Sequence, residues 1–286
     1  MSLCSEPASK EPNTIEWDPT VLIRGVGSPT RPSGRDGTDG FALIVLNQPL
    51  ENHLGLLRQL WNNASVRIAA DGGADCLYRV AGQYGDGSFD DLRVIIGDLD
   101  SLTIHARGYY ESTAGGRKVT KVIHDTDQDS TDFGKAIRYA RQNYRREATA
   151  TPLDIVAMGG LGGRVDQGLS QLHHLYLFQT DPHYVDGHMY LISGESLTFL
   201  LKAGHHRIRV RCGPAGEDDV FGKHVGILPI KEPSRITTKG LEWDVTDWET
   251  EFGGQLSTSN HVLPETQVVE VVTTKDVIFT IALREV

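Results

Sequence analysis

Five strand-like runs, each closed by polar or glycine-rich residues, set the pattern of the first two thirds of the chain. Phe41–Leu46 is continuously apolar and ends at Asn47-Gln48-Pro49, as expected of a strand buried on both faces and running into a loop. Val66–Ala70 gives way to Asp71-Gly72-Gly73, and Val94–Ile96 to Gly97-Asp98-Leu99-Asp100-Ser101. Lys118–Ile123 leads into an acidic stretch from Asp125, and Leu153–Ala157 into Gly159-Gly160-Leu161-Gly162-Gly163-Arg164. Between these runs apolar residues recur at helical spacing: Leu54, Leu57, Leu60 and Trp61, then Phe133, Ile137, Ala140 and Tyr144. Further helices are expected from Ala74 to Val80, stopped by Gly82, and from about Val165 to Phe178. The alternation predicts a parallel α/β sheet over residues 40–185, with ligands held at the carboxyl ends of its strands.

From Met189 the period changes to two. Leu197, Phe199 and Leu201 alternate, Ile208 and Val210 follow an Ala203–His206 turn, and Val225–Ile230, Trp243–Val245, Val268–Thr273 and Val277–Leu283 read as further strands. This predicts a smaller all-β sandwich, largely antiparallel, over residues 186–286. Residues 1–39 carry Pro7, Pro12, Pro19, Pro29 and Pro32 and read as an extension without chemistry. Within them Ile15–Trp17 and Val21–Ile23 are apolar enough to join a sheet edge or pack on the surface.

Composition narrows the class. The formal charge is −10, without a long basic run, which argues against a nucleic-acid partner. Cys4, Cys76 and Cys212 form neither a Cys-x-x-Cys pair nor a disulfide framework, pointing to a reducing compartment. No basic-then-apolar leader is present, and no run approaches the roughly 18 apolar residues of a membrane span. The expectation is a cytoplasmic protein with no membrane partner.

The chemistry lies in the loops. Asp125, Asp127, Asp129 and Asp132 put four carboxylates into eight residues, directly before a helix that Ser130 or Thr131 is placed to cap. Carboxylates held that closely repel one another unless a cation lies between them, which suggests a divalent metal with oxygen ligands, Mg²⁺ above all. Lys135, one turn into the helix, can meet phosphates. Asp is also common at helix starts and in solvated loops. Convergence tips the balance: Asp71, Asp98, Asp100, Asp127, Asp129 and Asp132 all follow predicted strands, and so do the glycine loop, Arg164 and Asp166. The glycines let backbone N–H groups and a helix N-terminus approach an anion, and Arg164 adds a fork for phosphate oxygens. Rossmann, Walker, zincin and nucleophile-elbow patterns are all missing. His173-His174 and His205-His206 read as packed or solvated rather than ligating, and Trp243 and Trp248 as core residues able to stack on a ligand.

Taken together, these loops resemble the thiamine pyrophosphokinases, specifically the eukaryotic branch. The matching segments are Leu46–Leu50, Ala70–Ala74, Gly97–Ser101, Asp127–Phe133, Gly160–Gln167, Ser196-Leu197 and Ser257–Asn260, in the family's order over residues 41–286. Gln167 stands where bacterial members often have His.

The resemblance implies pyrophosphoryl transfer from ATP to the primary alcohol of thiamine, giving thiamine diphosphate and AMP, with Mg²⁺ as cofactor. It also implies a homodimer whose active site is shared between subunits. Carried onto this sequence, it makes Asp71, Asp98, Asp100, Asp127, Asp132 and Arg164 catalytic, with Asp71, Asp98, Asp100 and Asp127 on the metal. ATP contacts fall to Asn47, Gln48, Gln128, Asp129, Thr131, Lys135, Gly162, Gly163, Asp166 and Gln167. Trp243, Ser257, Thr258, Ser259 and Asn260 face thiamine. Asp71 and Asp100 are the candidates to accept the substrate's hydroxyl proton. The other readings of the same cleft are a different Mg²⁺-dependent phosphohydrolase or nucleotidyl transferase, and a nucleotide-sensing module without turnover.

Overall fold

The computed structural model describes residues 14–24, 40–84, 87–112, 119–146, 149–212 and 219–284. Most of residues 1–39 thus lie outside the described residues. Strands β2 (Phe41–Val45), β3 (Val66–Ala70), β4 (Val94–Gly97), β5 (Lys121–His124), β6 (Asp154–Met158) and β7 (Met189–Ile192) are mutually parallel, in the order β5-β4-β3-β2-β6-β7. The chain winds outward from β2 to β5 and then crosses back to β6. The strand order therefore reverses between β2 and β6, the point where open α/β sheets bind ligands. Strands β2, β4 and β7 are buried along their whole length, which is why they read as unbroken apolar runs.

The two faces of these strands are covered by different helices. Leu43, Val45, Ala69 and Ile95 pack under α2 (Leu54–Asn63), α3 (Gly73–Tyr84) and α4 (Ile104–Glu111). Ala42, Ile44, Ile68 and Val94 face α5 (Asp132–Asn143) and α6 (Val165–Phe178). Helix α3 continues past Gly82, whose missing side chain costs a helix about 1 kcal/mol without ending it.

One of the two sheets of the β-rich part is continuous with the parallel strands. Strand β8 (Ser196–Leu201) pairs antiparallel with β7, and β15 (Val277–Leu283), β10 (Phe221–Leu228) and β13 (Ser257–His261) follow, so one ten-stranded sheet crosses the whole molecule. A second sheet, β1-β9-β14-β11-β12, completes the sandwich. Its strands are β1 (Thr14–Trp17), β9 (Gly204–Arg209), β14 (Val268–Thr273), β11 (Ser234–Lys239) and β12 (Trp248–Thr250).

Two local expectations change. His205 and His206 lie in β9 rather than in a turn, because pairing to both β1 and β14 outweighs the local Ala-Gly signal. Trp243–Val245 is a turn, with Asp244 accepting from the Gly240 and Leu241 backbone, and the strand forms later at Trp248. One expectation for the N-terminal segment is met: β1 joins a sheet edge by pairing with β9, and helix α1 (Thr20–Arg24) buries Leu22 and Ile23. Asn63 donates to the carbonyls of both of those residues, at 3.0 and 2.9 Å.

Candidate active site

The loops after β2, β3, β4 and β6 meet the start of α5 at the sheet's reversal point and enclose a cleft of about 510 Å³. Asp71, Asp98 and Asp132 bring one carboxylate oxygen each to within 4.8 Å of one another. Three structural features hold them there. Asp71 takes a left-handed backbone (φ 43°) and accepts from the Ser101 N–H through Oδ2 at 3.1 Å. Asp132 begins α5 and accepts from the Asp98 N–H at 3.1 Å. Lys135, one turn further and buried, places Nζ 3.2 Å from the same Asp132 oxygen.

The triad is charged beyond what its surroundings neutralise. Burial pushes the Asp71 carboxyl up to about 6, with the neighbouring Asp132 and Asp98 charges adding to the effect. Asp71 Oδ1 is buried and has no hydrogen-bond partner among the described residues. A divalent cation with oxygen ligands would supply both the missing partner and the missing charge, so the residues present fit Mg²⁺.

The carboxylates that the structure brings together differ from the metal set that the resemblance implied. Asp132 completes the triad, whereas Asp100 and Asp127 stand outside it. Leu99, between Asp98 and Asp100, has φ 65°, and Asp98 but not Asp100 lines the cleft. The Asp100 carboxylate instead takes the Ser101 hydroxyl at 3.0 Å, and its N–H donates to Asp98 at 3.3 Å. Asp127 lines the cleft but is exposed, binding the Ser130 hydroxyl and Arg138. The Ser130 hydroxyl first, then the Asp129 N–H and the Arg138 charge, hold its carboxyl below the usual range.

Most of the other predicted contacts also reach the cleft: Asn47, Gln48, Gln128, Thr131, Arg164 and Gln167 all line it. Gln48 lies over the glycine loop, its amide about 3 Å from where a side chain on Gly163 would begin, and Gly163 has φ 71°. Both facts demand glycine there. Gly162 lines a second cleft instead. Arg164 is exposed and folds back onto Asp166, donating at 2.5 and 3.1 Å. Asp129 is exposed, and its N–H donates to Asp127 at 2.9 Å. Thr131 caps α5, accepting from the Gly134 N–H at 3.1 Å.

The second cleft, about 720 Å³, lies between the glycine loop and the antiparallel end of the long sheet. Thr258 and Ser259 line it, together with His53, Glu195, Ser196 and His224. Ser257 begins β13 beside them. Asn260 is buried and structural: its amide accepts from and donates to the Trp243 backbone, at 3.1 and 2.9 Å. Trp243 itself is 55% exposed and lines neither cleft of its own chain.

Ser101, which closes a quoted motif without an assigned role, also enters the first cleft, and so do three residues outside the motifs, Ser170, Gln171 and His174. The last three lie with Gln167 at helical spacing on α6, a polar stripe visible in the sequence only once that helix is known to face the site.

A crevice walled by carboxylates on one side and by Arg164 and the polar stripe of the helix after the glycine loop on the other, at the reversal point of a doubly wound sheet, belongs to the class of enzymes that handle phosphorylated substrates. Comparison with known proteins narrows that class to a single family. Residues 57–185 match the thiamin pyrophosphokinase catalytic domain, and residues 205–278 match the thiamin pyrophosphokinase vitamin B1 binding domain. Thiamine pyrophosphokinase 3 of Oryza sativa subsp. japonica is 35% identical, over 85% of this chain and 87% of its own. Thiamine pyrophosphokinase 1 of Arabidopsis thaliana is 36% identical, over 86% and 87%. The solved structure of the yeast thiamin pyrophosphokinase shares 25% of its residues and superimposes with a TM-score of 0.74, over 94% of this chain and 91% of that one. The chain belongs to the thiamin pyrophosphokinase family.

Proposed function

We propose that the carboxylate cleft is where this chain transfers the pyrophosphoryl group of ATP to thiamine. The reaction forms a bond from the thiamine hydroxyl oxygen to the β-phosphorus, breaks the bond between that phosphorus and the oxygen bridging it to the α-phosphate, and gives thiamine diphosphate and AMP. The observation that carries the site assignment is the Asp71–Asp98–Asp132 triad with its unpartnered buried oxygen at the sheet's reversal point. Such a transfer asks the protein for position and charge neutralisation rather than a covalent nucleophile. Asp71, Asp98 and Asp132 would hold Mg²⁺, which neutralises phosphate charge when bound. Lys135 orients Asp132, and Gln48, Thr131, Arg164 and Gln167 stand where phosphate oxygens enter. To bind them, Arg164 exchanges Asp166 for a phosphate.

The second cleft is the thiamine side, with Thr258 and Ser259 on its wall. Trp243, presented outward by the Asn260 clamp, supports a homodimer in which one subunit's indole covers the partner's cleft. The working division is residues 40–185 for ATP and 186–286 for thiamine, in the cytoplasm. Among the described residues no helix is long and apolar enough to cross a membrane.

Incubation with ATP, Mg²⁺ and thiamine, followed by product identification, tests the reading. AMP and thiamine diphosphate in equal amounts support it. Free phosphate or pyrophosphate would favour a hydrolase, and binding without turnover a sensor. The dimer predicts a solution mass near twice 31.4 kDa.

A further inference from the structure

His174 is buried in the wall of the carboxylate cleft, on the helix that follows the glycine loop. Its ring lies 5.0 Å from Phe133 and stacks at 5.9 Å on Phe178, which fixes its orientation. Nδ1 is 2.5 Å from the Ser170 carbonyl, an oxygen that can only accept, so Nδ1 carries the ring proton. Nε2 is then an acceptor, and its partner at 2.8 Å is the Thr131 hydroxyl. With its proton given to His174, Thr131 Oγ1 turns its lone pairs to the Gly134 N–H and caps α5. The donors therefore run in one direction, from α5 through Thr131 and His174 into α6, and Asp132 is the first residue of the helix so capped.

Gly134 makes the approach possible. A side chain there would begin 3.2 Å from His174 Nε2 and 3.4 Å from Thr131 Oγ1. Glycine in the first turn of a helix costs backbone entropy; here it leaves room for the imidazole. Burial lowers the His174 pKa, which keeps the ring in the neutral form this chain of donors needs.

We propose that His174 is a positioning residue, locking the Thr131 hydroxyl as the cap of α5 and so holding Asp132 in the carboxylate triad. The inference rests on the triad being the working site. It deepens that reading by tying the acidic wall to the glycine-loop helix through one neutral imidazole.

Three measurements test it. In protein labelled with ¹⁵N-histidine, His174 should show a protonated Nδ1 and a bare Nε2; the opposite tautomer overturns the proposal. Mn²⁺ affinity, followed by electron paramagnetic resonance, should fall roughly tenfold in His174→Leu, as when the partner of a metal-ligating group is removed. It should stay within about threefold of the unaltered protein in His174→Gln, whose Oε1 supplies an acceptor in place of Nε2. Equal losses in both variants, or none in either, would reduce His174 to packing. In turnover, His174→Leu should lower kcat roughly tenfold with the thiamine KM changed less than about twofold. If His174→Leu does not fold, Gly134→Ala replaces it. Alanine is the better helix former, so weaker Mn²⁺ binding there reports the displaced imidazole, and unchanged binding counts against the proposal. If the unaltered protein makes no thiamine diphosphate, the functional reading fails, while the tautomer and Mn²⁺ results still decide the role of His174.

Discussion

Trp17 donates its indole N–H to Nδ1 of His206 at 3.0 Å, joining residues 189 positions apart inside the sandwich. Both side chains are buried, and Nε2 of His206 faces the Lys202 carbonyl at 2.8 Å. Every polar atom of the pair is satisfied only while His206 is neutral with its proton on Nε2. Around it Trp17 meets Tyr184, His188 and Phe199 at 4.4–5.0 Å between ring centroids. The N-terminal segment is thus part of the core that supports the second cleft.

Replacing Trp17 should therefore be costly far from any substrate. Trp17→Ala is expected to remove roughly 3–5 kcal/mol of stability, the usual cost of emptying a buried aromatic site. Trp17→Phe keeps most of the packing but strands His206 Nδ1, for about 1–3 kcal/mol. Urea unfolding of the two variants measures both values.

The same pair makes stability fall in acid. Burial lowers His206 from 6.5 to about 4. The unfolded chain therefore takes up the proton at a higher pH than the folded one. The contribution is complete above about 6.5 and is lost as the pH falls toward 4, at most about 3 kcal/mol over that window. Urea midpoints between pH 7.5 and 4.5 should decline along this course, and His206→Asn should flatten it.

How much of this was legible in the sequence depended on what defines each element. Strands β2, β3, β4 and β6 are buried parallel strands whose apolar runs identify them, whereas β5 is a half-exposed edge strand with only Val122 and Ile123 apolar, and the loops after these strands carried the site's chemistry. By contrast, β11 (Ser-Arg-Ile-Thr-Thr-Lys) and β13 (Ser-Thr-Ser-Asn-His) are polar segments made into strands by their partners, a signal absent from local pattern. Helix α4 was missed because its first residue, Ile104, is 87% exposed and its apolar face is short. In the site, residue type located the carboxylates, but only the packing of three separate loops shows that Asp71, Asp98 and Asp132 are the ones that meet. His174 was read as packed, and it is; its bond to Thr131 needs two helices in register and cannot be seen in either alone.

Gly194 gives a test of the second cleft. A side chain there would begin 1.9 Å from the His53 ring, which lines the same cleft. His53 is half-buried and can swing away, so Gly194→Ala should displace the imidazole rather than unfold the protein. We expect a melting temperature within a few degrees of the original and a thiamine KM raised roughly tenfold, a loss of about 1.4 kcal/mol in binding. An ATP KM that rises as much as the thiamine KM would place the two substrates differently from the assignment above.

The acidic loop itself separates into unequal parts. Asp132 belongs to the triad, is fixed by the Asp98 N–H and Lys135, and starts a capped helix. Asp127 stands at the rim, exposed, with Ser130 and Arg138 already on its oxygens. Asp132→Asn keeps the shape of the side chain but removes a charge from a site that works by holding charge. Its kcat should fall at least about a hundredfold at saturating Mg²⁺, the scale expected for loss of a metal ligand. Asp127→Asn removes a charge that solvent and Arg138 already screen, and activity should stay within about tenfold. Steady-state kinetics on the two variants, with circular dichroism to confirm that both fold, decides the matter. The reverse order would move the metal outward, onto the set in which the carboxylates are crowded in sequence rather than in space.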